Sequence, residues 1–173
     1  FKEGVAVAFH LYSDESVEPF CDHFGTCGGC KWQHINYELQ KKYKHQQVVD
    51  QLQRIAKVDL PEISTILGSA ETQYYRNKLD FTFSNKKWLT IEQIQSGEEF
   101  ERNALGFHIP RMFDKIVDVD HCYLQGGLSN EIRNSLRSFA LENKLSFYDI
   151  REQVGLLRNL IIRTTSTDQI MVI

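Results

Sequence analysis

The 173-residue sequence predicts an α+β fold, mainly antiparallel β-sheet with two or three helices. Three observations carry that expectation. The stretch "YRNKLDFTF" alternates: Asn77, Leu79, Phe81 and Phe83 face one way, and Arg76, Lys78, Asp80 and Thr82 the other, as in a strand with one buried side. The apolar runs "GLLRNLIIRT" and "QIMVI" flank "TSTD" and read as a hairpin. Leu128, Ile132, Leu136 and Phe139/Ala140 recur at spacings of three and four, which gives a helix beginning at Ser129 a core-facing stripe.

The remaining elements follow from local signals. Asn36 and Glu38 open a helical stretch that runs to about Lys57, and Pro61 closes the linker after it. On that helix Ile35, Leu39 and Tyr43 fall on one side, while Val48, Leu52 and Ile55 fall roughly opposite, joined by Val49 and Ala56. One body cannot cover both sides, so one face of the helix at 36–57 is expected to be bare or covered by a second copy of the chain. "WLTIEQI" and "ALGFHI" read as further strands around the polar loop "QSGEEFERN", and "KIVDV" leads into Cys122. "GVAVAFHLY" near the start also reads as a strand. The sequence opens and closes in apparent strands without turns or caps, the pattern expected of a piece cut from a longer protein.

Composition narrows the function classes. A formal net charge of −3 is unhelpful for nucleic-acid binding and argues against a basic surface overall. No apolar run approaches the roughly 20 residues that span a bilayer. The acids of "FKEGVAVAFHLYSDE" stand where the apolar core of a signal peptide would continue, so a cytoplasmic protein with no membrane partner is expected. Lys41, Lys42 and Lys44 read as a solvated face.

The chemistry lies in the cysteines. Three of the four fall in "CDHFGTCGGCKWQH", spaced Cys21-x5-Cys27-x2-Cys30, and Cys122 follows far downstream. Disulfides fit secreted chains. Zinc sites share the C-x-x-C half-site but usually offer a second close pair. Three close cysteines and one distant one also match a spacing used for iron–sulfur clusters. Spacing favours the cluster and leaves the others open. The glycines of "CGGC" suit tight turns, where positive φ is cheap, and let amides approach sulfur; Gly25 serves the wider turn. His34 and His121 flank the cysteines and read as packing or hydrogen-bonding groups. Trp32 and Trp88 read as core or shielding groups.

The same stretch resembles the cluster loop of the RumA-type bacterial 23S rRNA 5-methyluridine (uracil-C5) methyltransferases. The resemblance continues through "YYRNKLDFTF", "LGFHIPRMFDKIVDVDHCYLQ" and "GLLRNLIIRTTST", nearly the whole chain. It implies that Cys21, Cys27, Cys30 and Cys122 ligate a [4Fe–4S] cluster. It also implies an RNA-contacting central domain at 69–173, a cluster loop at 13–34, and a helical excursion at 35–68 that packs on the enzyme's own methyltransferase domain. Residues 1–12 would be the remnant of an N-terminal TRAM domain of OB type. S-adenosylmethionine and the catalytic residues would belong to the methyltransferase domain, so this stretch alone would not be catalytic. Where the family carries a glycine near "HIPRMFD", this sequence has Pro110-Arg111-Met112, which puts the local turn in question.

Ribosomal RNA is the implied partner. Arg76, Lys78 and Arg163 project from strands whose other side is apolar and are the candidate RNA contacts. The rival class is a stand-alone iron–sulfur or zinc protein used in electron transfer or protein binding.

Overall fold

The computed structural model describes Gly4 and residues 7–173. The chain divides into two units, one of residues 1–20 and 32–70, the other of residues 21–31 and 71–173. The cysteine loop therefore belongs to the second unit, although the sequence on either side of it belongs to the first.

The second unit is built on a five-stranded antiparallel sheet. Its strands are β1 (Lys78–Ser84), β2 (Ala104–Ile109), β3 (Met112–Asp118), β4 (Asn159–Thr164) and β5 (Ile170–Val172), in the order β3-β2-β1-β4-β5. Register explains the core. Phe81 pairs with Leu160 on one side, and Thr82 with Gly106 on the other, which sets Phe81 beside Phe107 with ring centroids 4.9 Å apart. Leu79 pairs with Ile162, Phe83 with Leu105, and Phe107 with Val117. The alternation seen in the sequence thus places one apolar layer on one face of the sheet. Leu79, Phe81, Phe83, Leu105, Val117, Leu160 and Ile162 are all buried in it.

The helix α3 (Ser129–Glu142) contributes Ala140 to this core, with Ile132 and Leu136 packed against it. Its start is fixed by a buried pair: the Ser129 hydroxyl donates to Gln125 Oε1 at 2.6 Å, and Gln125 Nε2 donates to the Ile162 carbonyl at 3.0 Å. Of the expected Phe139/Ala140 position, Phe139 is exposed and Ala140 buried, and Arg133 is buried in the helix as well.

Two further expectations are corrected. "WLTIEQI" does not form a strand; Ile91–Gln95 is a short helix, α2. Thr90 Oγ1 accepts from the Gln93 amide at 3.2 Å and Gln93 Oε1 accepts from the Thr90 amide at 2.9 Å, a reciprocal cap that outweighs the strand-like run of apolar residues. Part of the strand expected over 4–12 falls on residues 5 and 6, outside the described residues; residues 7–12 form no strand. The β2–β3 turn that lacks a glycine places Arg111 in the left-handed region, φ 69°.

In the first unit, α1 (Tyr37–Asp50) starts at Asn36, whose Oδ1 accepts from the Leu39 amide at 3.0 Å. It passes into a π-helical turn, Gln51–Ile55, closed by the Ala56 amide on the Gln51 carbonyl. The helical stretch therefore ends close to the expected Lys57, which has φ 54°. No residue of α1 is buried, and Val48 and Ile55 are exposed. No helix among the described residues is long and apolar enough to cross a membrane.

Asp118, at the end of β3, clamps the sheet to α3. Its Oδ1 accepts from the Leu105 amide at 3.0 Å, and its Oδ2 receives Lys87 Nζ at 3.0 Å and Arg137 Nη1 at 2.8 Å. Burial pushes its carboxyl up, but the Leu105 amide, Arg137 and Lys87 together hold it below the usual carboxylate value. A lowered folded pKa contributes stability that is fully present above the unfolded value of about 4 and is lost as pH falls through the folded value. Urea unfolding from pH 6 down to pH 2 is expected to show this acid loss, and Asp118→Asn is expected to lower stability at pH 6 and flatten the acid limb.

Candidate functional site

The cysteine loop is folded by its own backbone and anchored at two points. The Phe24 amide donates to the Cys21 carbonyl at 2.9 Å, and the Cys27 amide to the His23 carbonyl at 2.8 Å. Gly25 turns the chain with φ 85°. Gly28 and Gly29 have no positive φ, contrary to expectation; closeness explains them. A Cβ on Gly28 would lie 2.7 Å from the His108 carbonyl oxygen, which instead accepts the Gly28 amide at 3.2 Å. The Gly29 amide donates to Cys27 Sγ at 3.4 Å. This first anchor ties the loop to the end of β2. The second is His23, whose Nε2 accepts from the Asp120 amide at 3.1 Å, two residues before Cys122.

Cys122 is 7% exposed. Its amide donates to Asn130 Oδ1 at 2.8 Å, and Asn130 Nδ2 donates back to its carbonyl at 3.2 Å. The same Asn130 Oδ1 accepts from Arg133 Nη1 at 2.8 Å, while Arg133 Nη2 reaches the Asp120 carbonyl and Asn134 Oδ1. Arg133 is 0% exposed, lies 5.1 Å over the Phe81 ring, and has no partner for Nε. Burial depresses its pKa and the neighbouring Cys122 works against that.

All four cysteines are free thiols. Burial, above all, raises Cys21, Cys27 and Cys122, and Cys27 is pushed up to about 11. The thiols also act on one another: Cys27 feels Cys122, Cys30 and Cys21, and Cys122 feels Cys30 and Cys21. The fold thus brings the distant cysteine into electrostatic range of the close three. Among the described residues no group of three or more His, Cys, Asp or Glu is arranged to hold a metal ion. Four free thiols in one unit nonetheless suit the donor set of a thiolate-held cluster.

The candidate RNA contacts sit on the opposite face of the sheet from the core. Lys78 and Arg163 are direct cross-strand partners on β1 and β4, two like charges side by side. Arg76 precedes them, its amide bonded to the Leu124 carbonyl at 2.8 Å. All three are exposed, and Asp80, on the same face of β1, is engaged by Asn159 at 3.2 Å. His34 lies in the other unit from the cysteines, and its carbonyl accepts the Val17 amide. His121 packs against tyrosines. Trp32 and Trp88 are half-buried, and Lys44 lies 5.7 Å over the Trp32 ring.

No family model matches the chain. Curated relatives do. The chain is 53% identical over its whole length to an uncharacterized RNA methyltransferase of Bacteroides thetaiotaomicron and 49% identical to one of Porphyromonas gingivalis, spanning 38% of each. Over 99% of its length it is 41% identical to another from Chlorobaculum tepidum, spanning 36% of that protein. The chain belongs to this family of RNA methyltransferases. It covers little more than a third of its relatives' length. Among solved structures it is similar to Pyrococcus abyssi tRNA (uracil-54, C5)-methyltransferase in complex with S-adenosyl-L-homocysteine. That similarity has a TM-score of 0.60 at 27% identity and covers 92% of this chain and 32% of that one.

In this chain, sequence reasoning missed His23, Asn130 and Arg133, the groups that join the two cysteine segments. The one available signal was a charged residue on the inward phase of α3. Arg133 holds the Cys122 thiol lower than burial alone would. The thiolate absorbance of metal-free protein is therefore expected to titrate at higher pH in Arg133→Met than in wild type, with Arg133→Lys between them.

Proposed function

We propose that this chain is the cluster-bearing, RNA-contacting part of an S-adenosylmethionine-dependent RNA uracil-C5 methyltransferase acting on ribosomal RNA. The observation that supports the reading is that Cys21, Cys27, Cys30 and Cys122 fall in one unit although they come from two remote segments of chain. Cys122 belongs to the sheet's core and Cys30 packs against it, but Cys21 and Cys27 take no part in that core. Those four residues would hold the [4Fe–4S] cluster. Its contribution would be structural: a cross-link between residues far apart in sequence, which restricts the unfolded chain.

This chain's own residues have two tasks in that reading. Arg76, Lys78 and Arg163 meet phosphate or sugar and set the position of the RNA without reading its sequence. Lys78 and Arg163 repel one another across the strands, and an RNA phosphate between them would relieve that. The loop anchors at His23 and Gly28 keep the cluster side of the unit fixed relative to that face. Methyl transfer falls to the remainder of the protein. The described sheet is antiparallel throughout and offers no strand-to-helix glycine loop of the kind that takes a nucleotide. The C5 position of uracil is inferred from the similarity to a uracil-C5 enzyme.

Deleting the gene and mapping 5-methyluridine by mass spectrometry in ribosomal and transfer RNA tests this. Loss of one 5-methyluridine from ribosomal RNA, restored by the wild-type gene, is expected. Replacing Arg76, Lys78 and Arg163 together by alanine is expected to weaken binding of the protein to ribosomal RNA fragments by about 10-fold or more and to flatten its salt dependence. Loss of the nucleoside from transfer RNA instead would overturn the ribosomal assignment.

A further inference from the structure

A group of rings stands beside Cys122 on the surface of the second unit. The segment 74–76 pairs with 123–125: the Tyr74 amide donates to the Tyr123 carbonyl at 2.7 Å, Tyr75 bridges to Gln125, and the Arg76 amide reaches the Leu124 carbonyl. This pairing brings together two motifs, "YYR" and "HCY", that lie far apart in sequence. The rings of His121 and Tyr123 are 4.4 Å apart, Tyr74 and Tyr123 5.9 Å, and Tyr74 meets His121 edge-on at 6.3 Å. The Tyr74 hydroxyl lies 3.1 Å from His121 Nε2.

Two features distinguish this group from ordinary packing. Tyr74 is 45% exposed and Tyr75 55% exposed, so both residues are open to solvent. Tyr74 also takes the left-handed backbone, φ 55°, which an ordinary side chain adopts at a cost. Its Cβ is placed where a Cβ on Gly126 would come within 3.2 Å, so the glycine makes room for it. The conformation is held by the Tyr123 carbonyl and by His121, not by burial of the ring.

We propose that Tyr74, with His121 and Tyr123 behind it, is a stacking platform for an unpaired base of the RNA whose backbone crosses Arg76, Lys78 and Arg163. The inference rests on the RNA reading above and extends it from phosphate contact to base contact. Charge complementarity selects the occupant: Arg76 follows the rings by two residues, and the like-charged pair Lys78–Arg163 continues from it along the sheet. Bases in a duplex hide their faces from side chains, whereas splayed single-stranded bases stack on exposed aromatic rings. The platform adjoins the thiol site through Asn130, whose Nδ2 bonds the Cys122 carbonyl and lies 3.5 Å from His121 Nε2. A base seated there would lie on the side of the unit where the distant cysteine enters.

The test uses the protein expressed from its whole gene and single-stranded RNA oligonucleotides with 2-aminopurine at successive positions. Stacking on an aromatic ring is expected to quench 2-aminopurine at one position in the saturated wild-type complex. Tyr74→Leu is expected to abolish that quenching and weaken binding about 5- to 100-fold. Tyr74→Phe, which keeps the ring and loses the hydroxyl, is expected to retain it. Lys78→Gln with Arg163→Gln is expected to weaken binding and its salt dependence while leaving the quench at saturation. Saturable RNA binding with no quench at any position overturns the platform alone, as does a Tyr74→Leu protein of unchanged circular dichroism that quenches like wild type. Absence of RNA binding by the wild-type protein overturns the RNA reading and the platform with it.

Discussion

The hydrogen bond from the Asp120 amide to His23 Nε2 is the constraint on which the site depends. It fastens residues 21–31, a short length of chain between two stretches of the other unit, to the strand end that carries Cys122. The Gly28 amide on the His108 carbonyl fastens the same loop a second time, at the end of β2. These two bonds, together with Cys30 packed against the core that contains Cys122, hold the loop near a residue so distant in sequence. Charged thiolates crowded together repel one another and lose solvation, which is why burial and mutual influence raise the free thiols. A cationic occupant reverses both penalties, and the free energy of binding it becomes folding free energy.

The strand end that receives the loop is stiffened from beneath. Asp118 is clamped by Leu105, Lys87 and Arg137, and Arg137 Nη2 also reaches Asp120 Oδ1 at 3.0 Å. Arg133 takes the Asp120 carbonyl, and Asn130 takes both backbone groups of Cys122. Asn134 Nδ2 also donates to the Asp120 carbonyl, so one helix sets residues 118–122 through four side chains. A buried arginine is costly unless its donors are satisfied and an anion lies near. Here most donors are satisfied and Cys122 is the adjacent group, so the cation has its greatest value when that sulfur carries charge.

The sheet was legible in the sequence because it buries one face: β1 alternates apolar and polar, and a one-residue slip would turn Phe81 and Phe83 to solvent. β4 and α3 were legible for the same reason, whereas β5 is exposed along its length and was read from the apolar run that follows the turn residues of "TSTD". The short α2 was not, because "WLTIEQI" satisfies a strand pattern while its deciding signal is the single pair Thr90 and Gln93. Arg133 escaped notice because patterning assigns charges to the surface, and its burial rests on Asn130, Asn134 and a carbonyl that only the fold supplies. The spacing of "CGGC" named the cysteines, but the purpose of Gly28 depends on the position of β2, which no local reading contains. The rings beside Cys122 were likewise visible as letters and meaningless until 74–76 paired with 123–125.

The gathering of four thiols around one group is the claim from which the rest follows. It is tested most directly by the iron, acid-labile sulfide and zinc content of protein purified without oxygen. About four irons and about four sulfides per chain are expected, both lost in Cys122→Ser although the three close cysteines remain. Stoichiometric zinc with neither iron nor sulfide would contradict it.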